Sequence, residues 1–197
     1  WNSLSEVRLG PTPSNREARF QGYAGGAAER ELQTLAQISL ADVPRFSSGT
    51  GEFDRVLGGG LVPASAVLVG GDPGIGKSTL LLQAAAAFAN AGLKVIYISG
   101  EEASAQVRLR AQRLNLAEAP VRLATETNLR DILTTLDKER PDLAIVDSIQ
   151  TMWADNVDSS PGSVSQVRAA AHELTTFAKR TGSAVMMVGH VTKDGQL

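Results

Sequence analysis

The sequence predicts an α/β fold, a mostly parallel β-sheet flanked by helices on both faces. Two observations carry that expectation. One is a glycine-rich stretch, Gly71-Asp72-Pro73-Gly74-Ile75-Gly76-Lys77-Ser78, set between an apolar run and a run of helix formers. The other is the alternation of apolar runs with amphipathic stretches downstream of it, which implies right-handed crossovers between parallel strands.

The glycine-rich stretch fits G-x-x-x-x-G-K-[ST], in which backbone N–H groups cradle phosphates and the lysine reaches the terminal ones. Ala66 to Gly70 reads as a buried strand leading into it, and Leu80 to Ala89 as a helix leading out. A helix N-terminus supplies free N–H groups and positive dipole to an anion, so this context suits a nucleoside triphosphate. The residues expected to line that site are Gly71, Asp72, Pro73, Gly74, Ile75, Gly76, Lys77, Ser78 and Thr79. The competing reading is an ordinary glycine turn carrying a solvated lysine.

Taken in order, residues 1–40 read as a linker or arm, broken by Pro11, Pro13, Ser14 and Asn15, with order returning at Leu32, Leu35, Ile38 and Leu40. Residues 41–197 read as the core. A short helix carrying Phe53, Val56 and Leu57 should end at Gly58-Gly59-Gly60, and Pro63 should turn the chain into the first strand. Val95 to Ile98 is β-rich, and Val107, Ala111 and Leu114 share one helical face. Val121 to Leu123 is a brief strand candidate, and Leu129, Ile132, Leu133 and Leu136 mark a helix closed off by Pro141. Leu143 to Asp147 is a further apolar run that ends in an acid. Val164, Val167, Ala171, Leu174 and Ala178 predict a long helix over 163–181, and Ala184 to Gly189 a last strand. Between them Thr151 to Gly162 reads as a long polar loop of the kind that is functional or disordered.

Phosphoryl transfer needs a metal to bridge phosphate oxygens and a group to orient the attacking water. Ser78 is the hydroxyl placed for Mg²⁺, and Asp147, at the C-terminal end of its apolar run, is its expected partner; the alternative is an aspartate capping the next turn. Glu101 and Glu102 follow the run Val95–Ile98 and could polarise water, with Glu101 the better candidate base. Ser99-x-x-Glu102 also fits a capping box, so that reading stays open. His190 ends the last apolar run, either to sense the terminal phosphate or simply to terminate a strand. Lys193 could meet DNA, a neighbour's nucleotide or solvent. No Asn-Lys-x-Asp stretch is present to read guanine, which favours ATP.

With 19 Lys and Arg against 21 Asp and Glu, the chain has no overall nucleic-acid footprint, so DNA contact must come from local patches or an oligomer's channel. It contains no cysteine, which excludes disulfides and thiolate metal sites within it and fits a cytoplasmic, reducing setting. No apolar run approaches the ~20 residues of a membrane helix, and no leader is visible. Trp1 in place of methionine implies that a segment precedes it.

Together these segments resemble the RecA-type ATPases and, more narrowly, the bacterial RadA (Sms) DNA-repair family. The resemblance is carried by Arg55 to Pro63, Gly70 to Gln83, Tyr97 to Glu102, Asp147-Ser148-Ile149-Gln150-Thr151 and Gly189 to Gly195. It implies a RecA-like P-loop NTPase core, with one strand lying between the phosphate-loop strand and the Asp147 strand. It implies a ring-forming, hexameric ATP-driven motor on single-stranded or branched DNA that processes recombination intermediates and moves branch points, with a recombinase and other repair proteins as partners. Glu101 and Glu102 fall where such proteins carry the catalytic glutamate, and His190 falls at the γ-phosphate sensor. The loops after Asp147 and His190 match their DNA-contacting positions. Trp1-Asn2-Ser3-Leu4 resembles the junction after the family's zinc finger, so zinc is expected only in that absent finger. The Lys-Asn-Arg-Phe-Gly motif and the Lon-protease-like domain of the family are also missing, which makes 41–197 a core truncated at its C-terminal end. Other readings are a clock-type or replicative-helicase-type RecA-like ATPase and a nucleotide-gated oligomeric scaffold. A small-molecule kinase lacks an evident acceptor site.

Overall fold

The computed structural model describes residues 34–37 and 44–190. The chain divides into two units, Trp1–Ala41 and Asp42–Leu197. In the first, Leu35–Gln37 forms one 3-10 turn, closed where Gln37 N–H donates to the Thr34 carbonyl at 2.9 Å. Of the arm expected over 1–40, all but residues 34–37 lies outside the described residues, Leu32, Ile38 and Leu40 included, as does the stretch Val191–Gly195 with Lys193.

The second unit is built on five parallel strands, β1 (Ala66–Gly71), β2 (Val95–Ser99), β3 (Arg122–Thr125), β4 (Leu143–Asp147) and β5 (Ala184–His190), in the order β1-β5-β4-β2-β3. Every residue of β2 and β4 is buried, as apolar runs covered on both faces must be. β1 departs from expectation. It is an edge strand of this sheet among the described residues, and its alternate residues, Leu68 among them, are exposed because only the face carrying Val67 and Val69 is packed.

Strand residues alternate between two cores. Ile96, Ile98, Ala144, Val146, Val185 and Met187 face α4 (Leu129–Glu139) and α5 (Val164–Thr181). Val95, Tyr97, Leu143, Ile145, Met186 and Val188 face α2 (Lys77–Asn90) and α3 (Ser104–Arg113). The buried alanines Ala84, Ala85 and Ala89 seat α2 against the strands. Helix ends follow local chemistry: Asn128 caps α4 by accepting Arg130 N–H at 2.9 Å, and Gly182 ends α5 in the left-handed region at φ 83°.

The short helix α1 spans Gly51–Val56, and Phe53 and Leu57 pack beneath it while Val56 is exposed, contrary to the expected stripe. Phe46 and Leu61 exchange backbone hydrogen bonds of 2.9 and 2.8 Å across its base. Gly60 makes that approach possible: at φ +126°, a Cβ there would sit 2.7 Å from the Phe46 carbonyl oxygen.

The stretch after β4 is not the structureless loop that its polarity suggests. Ile149–Thr151 forms a 3-10 turn, Met152 is fully buried, and Trp153 pairs with the start of α4 through Trp153 N–H to Thr127 O at 3.0 Å and Leu129 N–H to Trp153 O at 2.9 Å. Gln166 of α5 holds the rest. Its Oε1 accepts Ala154 N–H at 2.8 Å, and its Nε2 lies within reach of the carbonyls of Ala154, Val157 and Ser159 at 3.0–3.2 Å. Gln166 is 2% exposed and stands on the helix face where the hydrophobic pattern placed Val164, which instead is 47% exposed. Gln166→Leu should cost about 2–4 kcal/mol in chemical denaturation, since it orphans buried backbone groups worth about 1–3 kcal/mol each. Amide exchange over 153–159 should quicken while α5 stays protected.

Candidate active site

Strand order decides which residues can meet. Parallel strands carry their ligands at the carboxyl ends, and here those ends are Gly71, Ser99, Asp147 and His190. The register pairs Gly71 with His190 and Ser99 with Asp147. Because β5 is inserted between β1 and β4, His190 stands between the phosphate loop and Asp147.

The loop leaves β1 at Gly71 and enters α2 at Lys77. Gly76 makes the entry in the left-handed region at φ +102°, where an L side chain would be strained. As the N-cap it offers no side chain to the first N–H groups of α2, which suits them to an anion. Lys77 is 7% exposed, and its Nζ donates to the carbonyls of Gly71 and Asp72, each at 2.8 Å. That brace aims a cation across the loop mouth. Asp72 to Ile75 are exposed, with Ile75 at the tip. The amides, the lysine and the hydroxyls of Ser78 and Thr79 at the helix start form a donor set that fits the triphosphate of a nucleotide, with Ser78 and Asp147 as the oxygen ligands suited to Mg²⁺.

Asp147 is 8% exposed and accepts a hydrogen bond at Oδ2 from the Tyr97 hydroxyl. The Tyr97 phenol is pushed well above its ordinary range, first by burial and then by the adjacent Asp147 carboxylate. The Asp147–Ser148 peptide is cis. Ser148, fully buried, donates its hydroxyl to Glu101 Oε1 at 2.5 Å, and His190 Nε2 lies 3.2 Å from the same oxygen. Burial raises the Glu101 carboxyl, but the hydrogen bonds from Ser148 and His190, with the charges of His190 and Lys77, outweigh it and hold the group below the usual carboxylate range. Gln150 Nε2 donates to the His190 carbonyl at 3.1 Å, tying the turn after β4 to the end of β5.

The structure therefore gathers Glu101, His190 and the Lys77 charge, and it separates the paired glutamates. Glu102 forms an ion pair with Arg110 of α3, and its N–H and carbonyl meet the Ser99 hydroxyl at 3.1 and 2.9 Å. The Ser99 half of the expected capping box thus exists, although α3 begins later, at Ser104, where Gln106 Oε1 accepts Ala103 N–H at 3.0 Å. Sequence reasoning missed Tyr97, Ser148, Gln150 and Arg110. A tyrosine within the otherwise aliphatic run Val95–Ile98 was the one available signal for the first of these.

The strand inserted beside the phosphate-loop strand is the order that the resemblance implied, and it defines the class: a RecA-like P-loop α/β core. A family model described as an AAA domain matches residues 37–196. The chain is 52% identical over 206 residues to the DNA repair protein RadA of Brucella abortus (strain 2308), covering all of this chain and 43% of that protein. The RadA proteins of Escherichia coli (strain K12) and Bacillus subtilis (strain 168) are 52% and 42% identical, over 198 and 197 residues, with the same coverage. The chain belongs to the AAA-domain family and, within it, to the RecA-like ATPases of RadA type. It spans 43% of the length of those relatives.

Gly100 sets the spacing beneath Glu101. A Cβ there would lie 2.0 Å from Thr151 Oγ1 and 2.9 Å from Met152 Cε, so no side chain fits between β2 and the turn after β4. Gly100→Ala should lower stability by about 1–3 kcal/mol through overpacking. It should also pry Glu101 from Ser148, read as lost turnover exceeding the loss of nucleotide affinity.

Proposed function

We propose that this chain is the ATP-hydrolysing core of a DNA-repair motor, working in the cytoplasm as part of a longer protein. The observation that carries this reading is the convergence of Glu101, Ser148 and His190 at strand ends beside the phosphate loop. The relatives' name, DNA repair protein RadA, supplies the process.

In this mechanism the backbone N–H groups of Gly74 to Thr79 bind the triphosphate, and Lys77 meets its β and γ oxygens. Ser78 and Asp147 are the residues that would hold Mg²⁺, and the ion when bound would supply neutralisation of phosphate charge. Glu101 orients and deprotonates the attacking water. Its ionised state suits a base, and the Ser148 hydroxyl fixes one of its oxygens so that the carboxylate has a defined direction. Glu102 is the neighbour that anchors the turn to α3 through Arg110 rather than a second base. His190, in contact with Glu101, senses the γ-phosphate: a ring that exchanges Glu101 for phosphate reports the nucleotide state to the residues beyond β5. Single-stranded or branched DNA is the substrate along which hydrolysis does work, in a hexameric ring that processes recombination intermediates alongside other repair proteins. Within the described residues no helix is long and apolar enough to cross a membrane.

ATP hydrolysis by the full-length protein, with and without single-stranded DNA, tests this directly. DNA should raise the rate, Lys77→Ala should abolish binding or turnover, and Glu101→Gln should keep nucleotide affinity while cutting turnover by about 100- to 10,000-fold. Hydrolysis indifferent to DNA would favour a nucleotide-gated scaffold, and unaltered turnover in Glu101→Gln would remove that residue from the chemistry.

A further inference from the structure

We propose that Tyr97 is a positioning residue for Asp147, whose carboxylate it holds in one orientation for a divalent cation. The inference rests on the reading that Asp147 and Ser78 are the metal-holding pair.

Tyr97 and Asp147 lie on neighbouring strands. In the β2–β4 register Tyr97 pairs with Ile145 and Ser99 with Asp147, so the phenol reaches diagonally to the acid two residues further along the same face. The ring is 1% exposed and packs in the cluster that contains Leu82 of α2 and Val107 of α3. Burial of the ring within that cluster limits where the hydroxyl can be. Among the described residues its one hydrogen-bond partner is Asp147 Oδ2.

A phenylalanine would fill this apolar site without importing a polar group that must be satisfied. The hydroxyl is therefore explained by the carboxylate it meets. A neutral donor also suits this position, because it steadies the anion without cancelling the charge a cation needs. With Oδ2 occupied, the carboxylate cannot spin freely, and its remaining lone pairs face a cation or its bound water in a set direction. Groups in this position outside a metal's ligand shell alter metal affinity or activity by about 10- to 100-fold when removed.

The test uses the full-length protein and the binding of a fluorescent ATP analogue, titrated with Mg²⁺ and separately in EDTA. Tyr97→Phe should raise the Mg²⁺ concentration needed for half-maximal binding by about 10-fold or more and leave affinity in EDTA unchanged. Asp147→Asn, run in parallel, should shift the Mg²⁺ dependence at least as far. If Asp147→Asn shifts it and Tyr97→Phe does not, the positioning role is overturned while the metal site stands. If neither variant shifts it, the metal assignment falls and takes the Tyr97 role with it. Equal losses of affinity in Mg²⁺ and in EDTA would mark Tyr97 as packing alone, which also overturns the proposal.

Discussion

Hydrogen bonding of β5 between β1 and β4 is the constraint on which the site depends. It sets Gly71 level with His190, one strand spacing of about 4.8 Å away, and leaves Asp147 beyond it. Without that insertion His190 would not stand between the phosphate loop and the acid, and Glu101 would lose one of its two side-chain partners. The insertion is itself a packing outcome. β5 is apolar along almost its whole length, and such a strand is stable only where neighbours cover its sides and helices cover its faces. The core and the site therefore share one cause.

A buried carboxylate such as that of Asp147 is costly unless it is hydrogen-bonded, and the exposed Glu101 and half-buried Glu102 beside it have partners of their own. Asp147 receives the Tyr97 hydroxyl, Glu101 receives Ser148 and His190, and Glu102 pairs with Arg110. Each acid thus has its own partner and a distinct direction. That division is what allows adjacent glutamates in sequence to serve different ends, one beside the phosphate loop and one bracing α3. Two polar atoms, Gln150 Oε1 and His190 Nδ1, are buried without hydrogen-bond partners among the described residues. Both belong to the junction between the turn after β4 and the end of β5.

The readable parts of the sequence were the local ones. The phosphate loop announces itself by fixed spacing, and β2, β4 and β5 by unbroken apolar runs; these placed Lys77, Ser78, Asp147 and His190 at strand or helix ends. What stayed hidden joins residues far apart in the chain. Tyr97 meets Asp147 across 50 positions and Ser148 meets Glu101 across 47, so no window of sequence contains either pair. The edge position of β1 was equally invisible, because an apolar run looks the same at an edge as at the centre. Gln166 could have been found, since it is a polar residue on a helix face otherwise filled by Val167, Ala170 and Leu174. A loop whose polarity suggests a functional or disordered stretch is in fact held over 154–159 by that amide.

The most direct test of the account is a crystal structure of this chain with Mg²⁺ and a non-hydrolysable ATP analogue. The account predicts the triphosphate against the amides between Gly74 and Thr79, the metal beside Ser78 and Asp147, and the γ-phosphate facing Glu101 and His190. A triphosphate bound elsewhere, or a metal held away from Asp147 with the Tyr97 contact unchanged, would contradict it.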